Sequence, residues 1–270
     1  MHAHPATLIR PLAGALALAA ILSTAPAFAQ DVKLDVIYVP TPHAVVKRML
    51  EMAALKSGEF HIDLGCGDGR IVVAAARDFG ARGFGVDINP VRIKEANENA
   101  KKAGVTGKVE FRIQNLFETD ISKADVLSLY LLTSINLKLR PTILETMRPG
   151  ARVVSQSFAM GEWVPDQKDI VDHKDVYLWY VPAKVAGRWQ IDVGGEKIVV
   201  TLDQSFQMLK GSAAIAGKTV PVVDARLKGA EIDFTLAPEG ASRRPFHGRV
   251  NGDKMDSTGR LPWSATRLPN

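Results

Sequence analysis

The sequence predicts an α/β domain with a parallel sheet covered by helices on both faces, followed by a small antiparallel β domain. Strand and helix patterns alternate from residue 34 to residue 182. After Pro182, short alternating segments follow one another across glycine-bearing turns, and no helical period remains. The composition, with 46% hydrophobic and 23% charged residues in 270, is that of a globular protein and excludes a disordered one.

The first 29 residues follow the order of a secretory signal peptide. Arg10 precedes the apolar run Pro11–Leu22, and Ala27 and Ala29 form the small-x-small pattern that signal peptidase recognises. The run is shorter than the roughly twenty residues that a membrane-spanning helix needs. We therefore expect cleavage after Ala29, a mature protein without a transmembrane segment, and a periplasmic or secreted location.

The remaining chain divides into two predicted domains of different charge, residues 30–182 and 183–270. The first carries 20 basic and 20 acidic residues and the second 13 and 9, so the basic excess belongs to the second. No run of Lys or Arg approaches a nucleic-acid-binding arm. The single cysteine, Cys66, excludes an internal disulfide framework and a cysteine-based zinc cluster.

Hydrophobic periodicity and turn residues define the elements of the first domain. Thr41 is expected to cap the first helix, with Pro42 at its first position, and Pro141 to interrupt the last one. The predicted helices are Pro42–Lys56, Gly69–Phe79, Pro90–Ala103 and Leu137–Met147. The predicted strands are Phe60–Leu64, Gly83–Val86, Val109–Ile113, Ala124–Leu132 and Ala151–Phe158, with Asp169–His173 and Val176–Val181 as a closing antiparallel pair.

The second domain is predicted to be a barrel or a sandwich of short strands. Gly187-Arg188-Trp189 resembles the entrance of lipocalin-like barrels, and we expect Trp189 and Trp263 to anchor the core. A partner-binding or substrate-presenting role is preferred over a ligand-holding one, since this domain holds the basic excess. The predicted strands are Arg188–Val193, Lys197–Leu202, Phe206–Leu209, Ser212–Ile215, Val220–Leu227, Glu231–Leu236, Phe246–Val250 and Lys254–Ser257.

A glycine loop follows the strand that ends at Leu64, at the sheet edge where α/β proteins bind ligands. Glycines occupy alternate positions 65, 67 and 69 before a helix begins. The first glycine permits a sharp turn, the second lets a ligand approach the backbone, and the third admits close packing of helix on strand. Such a loop alone is a weak signal, because many α/β proteins contain one for packing.

Two carboxylates and one arginine near the loop indicate more specifically which ligand it binds. Arg70 stands where the dinucleotide fingerprint requires glycine, which argues against a pyrophosphate at this helix start and against an NAD-linked oxidoreductase. Asp63, two residues before the first glycine, can hold an α-amino group, and Asp87, at the end of the next strand, can accept both ribose hydroxyls. An amino group, a ribose and no phosphate describe S-adenosyl-L-methionine better than NAD or ATP.

Each of these carboxylates also has a structural alternative. Asp87 could cap the helix that starts at Pro90, although Asn89 is better placed to do so and would leave Asp87 free. Asp63 could bond amides of the turn, which is compatible with binding a cofactor. Replacing Asp87 with Ala is therefore expected to weaken cofactor binding severely with little loss of stability.

The glycine-loop stretch DLGCGDGRIVVAAA (63–76) resembles motif I of the class I S-adenosylmethionine-dependent methyltransferases, and GVDINP (85–90) resembles their acidic strand-two motif. With YVPTP (38–42), YLLTSINLKLRP (130–141) and RPGARVVSQSF (148–158), the chain resembles one bacterial group of uncharacterised methyltransferases from about Tyr38 to Trp163. It is similar, more distantly, to small lysine methyltransferases of mitochondria and to the non-SET histone lysine methyltransferase. The resemblance implies a Rossmann-like seven-strand sheet.

The resemblance also implies roles for particular residues. Tyr130, at the end of the fourth strand, stands where relatives place substrate-facing residues, and a core aromatic is an equal alternative. Asn115 stands where many relatives bind the adenine amino group with an acid. The implied cofactor-binding residues are Asp63, Gly65, Cys66 and Gly67 for the methionine end, Asp87 for the ribose, and Ile88, Asn115 and Leu116 for the adenine.

The function expected from these features is methyl transfer from S-adenosyl-L-methionine to an unidentified acceptor, a protein lysine or a small amine. The Asn/Asp-Pro-Pro-Tyr motif of enzymes that methylate nucleic-acid bases is absent from the sequence, so a nucleic-acid acceptor is not expected. The alternative is an exported binding protein with a catalytically silent methyltransferase fold. The sequence leaves the oligomeric state and the general base open.

Overall fold

The computed structural model describes residues 1–2 and 38–269. The predicted signal peptide falls almost wholly outside the described residues. The first domain contains the helices α1 (His43–Met52), α2 (Arg70–Asp78), α3 (Pro90–Lys102) and α4 (Thr133–Thr146). Its strands are β1 (Phe60–Leu64), β2 (Arg82–Asp87), β3 (Val109–Ile113), β4 (Val126–Leu129), β5 (Arg152–Gln156), β6 (Gln167–Val171) and β7 (Lys174–Tyr180).

These seven strands form one sheet in the order β3-β2-β1-β4-β5-β7-β6. The first five strands of the chain pair in parallel, whereas β7 pairs antiparallel with both β5 and β6. The predicted α/β sheet and its closing antiparallel pair are therefore confirmed. In the pair, Asp172 and His173 form the turn with positive φ angles of 48° and 60°, so His173 lies in the turn rather than in the strand.

Helices cover both faces of this sheet, because successive residues of its central strands point to opposite sides. On β4, Val126 belongs to the core cluster formed with α1 and α2, and Leu127 belongs to the cluster formed with α4. Helix α3 packs with α2 and with Phe111 of β3. Because strands β1, β4 and β5 are buried on both faces, most of their residues are apolar, and the buried polar residues among them are exceptions.

Three helix starts differ from their prediction: α1 and α2 begin one residue later, at His43 and Arg70, and α4 begins four residues earlier. Helix α4 begins at Thr133 and continues through Pro141, because Ile135, Leu139 and Ile143 lie at helical spacing and are buried together in the core. This burial outweighs the single backbone hydrogen bond that the proline removes. Helix α1 has Pro42 as its N-cap without a side-chain cap, so the prediction of Thr41 as its cap was wrong.

The second domain is a closed antiparallel barrel with the strand order β10-β11-β12-β13-β14-β15-β8-β9. Its strands are β8 (Gly187–Val193), β9 (Glu196–Ser205), β10 (Met208–Ile215), β11 (Lys218–Lys228), β12 (Glu231–Leu236), β13 (Arg244–Asn251), β14 (Lys254–Ser257) and β15 (Ser264–Arg267). Of the two architectures left open by the sequence, the barrel is the one observed.

The strand list of the barrel differs from its prediction in two places. The segments predicted at Phe206–Leu209 and Ser212–Ile215 are joined in one strand, β10, which begins only at Met208, so that Phe206 and Gln207 lie in the preceding turn. Within β10, Gly211 allows the backbone to lie close to the Thr201 carbonyl of β9. The short strand β15 was not predicted, although it closes the barrel by pairing with β14 and β8. Its sequence, SATR, contains a single apolar residue, Ala265, and so shows no alternation of apolar and polar residues.

Aromatic rings fill the interior of the barrel. Phe234 and Phe246 are stacked with ring centroids 4.9 Å apart, and Trp263 meets Phe246 edge-on at 5.6 Å. Trp189 is buried, donates from Nε1 to the Val185 carbonyl and is covered by a guanidinium group 4.3 Å from its ring centroid. The two tryptophans are core anchors, as predicted, and the packed rings give the domain a solid core.

The barrel contacts the sheet domain through two of its turns. The turn between β9 and β10 places Phe206 on Trp163, and Gln207 donates a hydrogen bond to the Val164 carbonyl. The turn between β11 and β12 brings Gly229 so close to Gly150 that a Cβ atom on Gly229 would lie 2.6 Å from the Gly150 Cα. Among the described residues, no helix has both the length and the apolarity to cross a membrane.

Candidate functional site

A cleft of about 490 Å³ lies beyond the carboxyl ends of β1, β2, β3 and β4. This is the edge at which parallel α/β sheets bind ligands, and the volume is in the range of small-molecule sites. All nine residues singled out in the sequence line this one cleft: Asp63, Gly65, Cys66, Gly67, Asp87, Ile88, Asn115, Leu116 and Tyr130. The tertiary structure therefore brings the predicted residues together, while their individual roles stay predictions.

The glycine loop shapes the floor of the cleft. Gly67 has a φ of 53°, and a Cβ atom there would lie 2.4 Å from the Tyr38 ring. The face of the second glycine, expected to be open to a ligand, is thus covered by Tyr38. A Cβ atom on Gly69 would collide with Phe111 and Ala96, which confirms the expectation that the third glycine permits close packing.

Asp63 is a buried carboxylate with one unpartnered oxygen. Its Oδ1 accepts a hydrogen bond of 2.6 Å from the Ser128 hydroxyl, and its Oδ2 has no partner among the described residues. The pKa of Asp63 is raised to about 7, chiefly by burial, and the nearby Asp87 and Asp68 carboxylates contribute to the rise while the Ser128 bond opposes it. A positively charged ligand group is the partner that this buried carboxyl lacks.

Asp87 lies across the loop from Asp63 and holds the loop in place. Its Oδ2 accepts a hydrogen bond of 3.0 Å from the Gly67 amide, and its Oδ1 accepts one of 2.9 Å from the Asn89 amide. Asn89 caps α3 by accepting from Val91 N, as expected, but Asp87 is not left free. Since each carboxylate oxygen has two acceptor sites, Asp87 keeps capacity for two further donors.

Arg70 ties the glycine loop to the segment that precedes α1. Its guanidinium group forms a bidentate pair with Asp68, at 2.9 and 2.6 Å, and donates to the Thr41 carbonyl at 2.9 Å. Burial raises the pKa of Asp68, but the hydrogen bonds and charge of Arg70 outweigh it, and the net shift is downward. The charge of Arg70 is therefore already paired with a neighbouring carboxylate of the loop.

The far wall of the cleft is formed by the short 3-10 helix that follows β3, Leu116–Glu118. Asn115 caps this helix by accepting from Phe117 N at 3.1 Å, and its Nδ2 donates to Glu118. One acceptor site on Asn115 Oδ1 is thus used for capping and one remains. Ile88, Leu116 and Phe117 all line the cleft and offer apolar surface to a flat ring.

The wall after β4 is aromatic. Tyr130 and Phe158 both line the cleft, with ring centroids 6.1 Å apart and an angle of 26° between their planes. The Phe158 carbonyl is held by hydrogen bonds from Asn136 Nδ2 and Ser155 Oγ, at 3.0 and 2.7 Å. The apolar side chain of Leu132, exposed at the mouth, continues this wall outward.

Cys66 is buried between the flanking glycines of the loop. Burial raises the pKa of its thiol, and the Asp63 and Asp87 carboxylates raise it further, so the thiol stays protonated. Its side chain packs against Gly85 of β2, where a Cβ atom would lie 2.6 Å from that of Cys66. The interpretation of Cys66 as a packing residue rather than a nucleophile agrees with this environment.

Sequence reasoning missed several residues of the site. Phe158 and Phe117 line the cleft, and Ser128 bonds Asp63 from the neighbouring strand. Ser128 is a hydroxyl inside an otherwise apolar strand, a signal that could have identified it. His61, treated as a core or surface residue, lies 2.9 Å from the Ser128 hydroxyl.

Comparison with known proteins identifies the family. The family model described as ANTKMT methyltransferase domain matches residues 63–167. A protein-lysine N-methyltransferase of Saccharolobus islandicus (strain REY15A) is 44% identical over 151 residues, which cover 53% of this chain and 92% of that protein. An adenine nucleotide translocase lysine N-methyltransferase of Mus musculus is 30% identical over 133 residues, which cover 49% of this chain and 58% of that protein.

A solved structure gives the same result. The crystal structure of an RNA methyltransferase from Salinibacter ruber, in complex with S-adenosyl-L-homocysteine, is 52% identical, with a TM-score of 0.53. The match covers 54% of this chain and 96% of that one. The family model ends at residue 167, before the first strand of the barrel.

The sheet order, the glycine loop between two carboxylates and these similarities lead to one conclusion. The Saccharolobus protein is matched over nearly its whole length, so the similarity is that of a complete domain. S-Adenosyl-L-methionine is the cofactor, and the cleft residues fit it, because the unpartnered oxygen of Asp63 calls for a cation. The chain belongs to the class I S-adenosylmethionine-dependent methyltransferases.

Proposed function

We propose that this methyltransferase modifies the side-chain amine of a protein lysine. The observation that carries the proposal is the 44% identity to a protein-lysine N-methyltransferase across 92% of that protein. The match to an adenine nucleotide translocase lysine N-methyltransferase supports it, at 30% identity. A small free amine is the alternative acceptor within the same chemistry.

We further propose how the cleft holds the cofactor. Asp63 would bind the α-ammonium group, with Gly65, Cys66 and Gly67 along the methionine end, and Asp87 would bind the ribose hydroxyls. The adenine would lie between two walls, formed by Ile88 on one side and by Asn115 and Leu116 on the other. Three carboxylates and two arginines line the cleft, and one arginine is paired with Asp68, so a cationic ligand is favoured.

The aromatic wall suits the approach of a lysine chain. Tyr130 and Phe158 present ring faces at the carboxyl end of β4, where a methylene chain packs and a cationic amine is attracted to the ring. The cofactor supplies an activated methyl group, so the chain's residues contribute alignment and the exclusion of water. Exposed apolar side chains at the mouth, Val39, Phe117 and Leu132, would contact apolar residues that flank the lysine.

RNA is the second candidate acceptor, because the Salinibacter structure is described as an RNA methyltransferase. Residues 30–182 carry no net charge, and the exposed large side chains at the cleft mouth are apolar rather than basic. RNA binding depends on basic surfaces that neutralise phosphates. The charge distribution of the sheet domain therefore favours protein over RNA.

A methyl-transfer assay with three acceptor classes tests the proposal. The purified chain is incubated with radiolabelled S-adenosyl-L-methionine and, separately, with lysine peptides, ribosomal RNA and small amines. We expect label in peptides with apolar residues beside the lysine and none in matched peptides with acetyl-lysine. Label in RNA alone, or cofactor binding without any transfer, would contradict the proposal.

We also propose that the chain is exported and that its domains divide between residues 182 and 183. The charge, apolar core and small-residue order of residues 1–29 supports export. The domain boundary is supported by the change from sheet to barrel strands between Tyr180 and Gly187. Amino-terminal sequencing of the protein purified from its host is expected to begin at Gln30, and a start at Met1 would refute export.

A further inference from the structure

Three polar side chains lie buried side by side beneath the cleft, on the neighbouring strands β1 and β4. His61, Asp63 and Ser128 are 0, 2 and 0% exposed. Asp63 and Ser128 are direct partners in the strand register, and His61 precedes Asp63 by two residues, which puts both on one face of β1. Buried polar groups lower stability unless they are hydrogen-bonded, and these three residues are hydrogen-bonded to one another.

The donors and acceptors available in the cluster determine which atom carries the hydrogen in each bond. Ionised Asp63 has no hydrogen to donate, so the 2.6 Å bond uses the single hydroxyl hydrogen of Ser128. The 2.9 Å contact from His61 Nε2 to Ser128 Oγ then needs a hydrogen on Nε2. Burial lowers the pKa of His61 to about 3, so the ring is neutral and its Nδ1, unpartnered among the described residues, carries none.

The hydrogen bonds therefore run in one direction, from His61 to Ser128 and from Ser128 to Asp63. Bonds aligned in this way polarise one another and strengthen the last bond of the chain. The last bond occupies Oδ1 of a carboxylate that lines the cleft and leaves its Oδ2 without a partner among the described residues.

We propose that Ser128 and His61 are positioning residues for the amino end of the cofactor, which fix the Asp63 carboxylate with Oδ2 available and favour its ionised form. The inference rests on the proposed role of Asp63 and is independent of which acceptor receives the methyl group. Under this proposal, substitution of Ser128 or His61 weakens the binding of ligands that carry the α-amino group, whereas substitution of an ordinary core residue would weaken the binding of every ligand alike.

Most groups around Asp63 oppose its ionisation or are neutral, so the hydrogen bond from Ser128 is the interaction that favours the ionised form. The Asp87 carboxylate from β2 and the Asp68 carboxylate from the glycine loop both oppose ionisation of Asp63, as does burial. Cys66 from the loop and His61 from β1 are neutral. The hydroxyl of Ser128 is thus the neighbour that stabilises the negative charge before a cationic ligand arrives.

Calorimetric titration of Ser128→Ala with two ligands tests the proposal. S-Adenosyl-L-homocysteine carries the α-amino group, whereas 5′-methylthioadenosine lacks the amino-acid part and keeps the ribose and adenine. Because a hydrogen bond to a charged group shifts a pKa by about one to two units, the pH midpoint of S-adenosyl-L-homocysteine binding should rise by that amount. At pH 7.5 its affinity should fall about tenfold, and that of 5′-methylthioadenosine should stay within about twofold.

Substitutions of His61 give an independent measurement. His61→Gln keeps an N–H group near the position of Nε2 and should hold the pH midpoint near that of the unaltered protein. His61→Leu removes the donor and should raise the midpoint by about half a unit, since the Ser128 bond weakens without being lost. If one of these variants fails to fold, the others still measure the effect of the hydrogen bonds from His61 and Ser128 on Asp63.

Ser155→Ala is the matched control. Ser155 is a buried serine on the next strand, β5, and its hydroxyl donates to the Phe158 carbonyl rather than to Asp63. It should leave the pH midpoint unchanged. The proposal would be overturned if Ser128→Ala lost affinity for both ligands equally while the pH midpoint of binding stayed unchanged. It would also be overturned if the affinity of this variant for S-adenosyl-L-homocysteine were unchanged. Neither result would bear on whether lysine is the acceptor.

Discussion

Phe206 of the barrel lies flat on Trp163 of the sheet domain, with ring centroids 6.1 Å apart and an angle of 14° between the ring planes. The Arg140 guanidinium lies 5.2 Å from the centroid of the Phe206 ring and donates to the Met160 carbonyl. Phe206 adopts a positive φ of 54°, an uncommon conformation for a bulky residue, and this contact offsets its cost. The barrel is thereby joined to the segment that carries Phe158 into the cleft.

Phe206→Ala should lower the free energy of unfolding by about 2 kcal/mol, because it removes a half-buried ring and its stacking on Trp163. Urea denaturation at pH 7.5 measures the change. Met208→Ala is the control, since Met208 lies two residues away with its side chain exposed. Equal stabilities of the two variants would contradict a stabilising role for the stacked pair.

Asp63→Asn should make the protein more stable and unable to bind the cofactor. The folded protein holds the Asp63 proton up to about pH 7, against 3.8 for an ordinary aspartate, so the stability of the unaltered protein falls as the pH rises from about 4 to 7. The shift corresponds to about 4 kcal/mol at most, and the unpaired amide of Asn offsets about half of it.

Thermal unfolding across pH 4 to 8 tests this expectation. The variant should exceed the unaltered protein by about 2 kcal/mol at pH 8 and lose this advantage as the pH falls towards 4, because Asp63 is then protonated in the folded chain and begins to bind its proton in the unfolded one. The exposed Asp120→Asn serves as the control. A difference that does not vary with pH would mean that Asp63 is ionised throughout this range.

Asp87→Ala should reduce the affinity for S-adenosyl-L-homocysteine by about a hundredfold or more, since two bonds from ribose hydroxyls to a carboxylate are lost. The affinity for 5′-methylthioadenosine should fall in parallel, because that ligand keeps the ribose. The amides of Gly67 and Asn89 lose their acceptor, so stability should fall by about 1–2 kcal/mol, contrary to the small loss expected from sequence. An unchanged calorimetric affinity would remove the ribose assignment.

Arg70→Lys should lower the affinity for S-adenosyl-L-homocysteine about three- to tenfold. Lysine cannot reproduce the bidentate pair with Asp68 and the bond to the Thr41 carbonyl, so the segment over the cleft is held less firmly. Arg77→Lys is a matched control, because Arg77 makes a similar bidentate pair with Asp78 on the exposed surface. Similar affinities of the two variants would show that the Arg70 pair does not shape the site.

Tyr130→Ala should reduce kcat/KM for a lysine peptide at least about tenfold, because the amine loses a ring face and a dry wall. Binding of S-adenosyl-L-homocysteine should change little, since the cofactor contacts are proposed to lie elsewhere in the cleft. Tyr130→Phe keeps the stack with Phe158 and should keep most of the activity. Steady-state kinetics with both variants distinguish an acceptor wall from a core aromatic, for which peptide and cofactor affinities would fall together.

Most elements of the sheet domain were predictable because they are set by neighbouring residues. Strand β1 has the predicted bounds, and α3 begins at Pro90 behind the Asn89 cap. The glycine loop and the two carboxylates near the carboxyl ends of the adjacent strands β1 and β2 were recognisable for the same reason. The run of α4 through Pro141 was not, because burial of its apolar face, which involves distant residues, outweighs a local signal.

The sequence by itself determined the order of strands and helices, the glycine loop and the carboxylates that point to the cofactor, since periodicity and short motifs are local. Only the tertiary structure decided the closure of the barrel by β15, the stacking of Phe206 on Trp163 and the bond from Ser128 to Asp63. Ser128 and Asp63 are 65 residues apart and meet because β1 and β4 are neighbours in the sheet. Such contacts depend on strand order and register, which the packing of the whole chain sets.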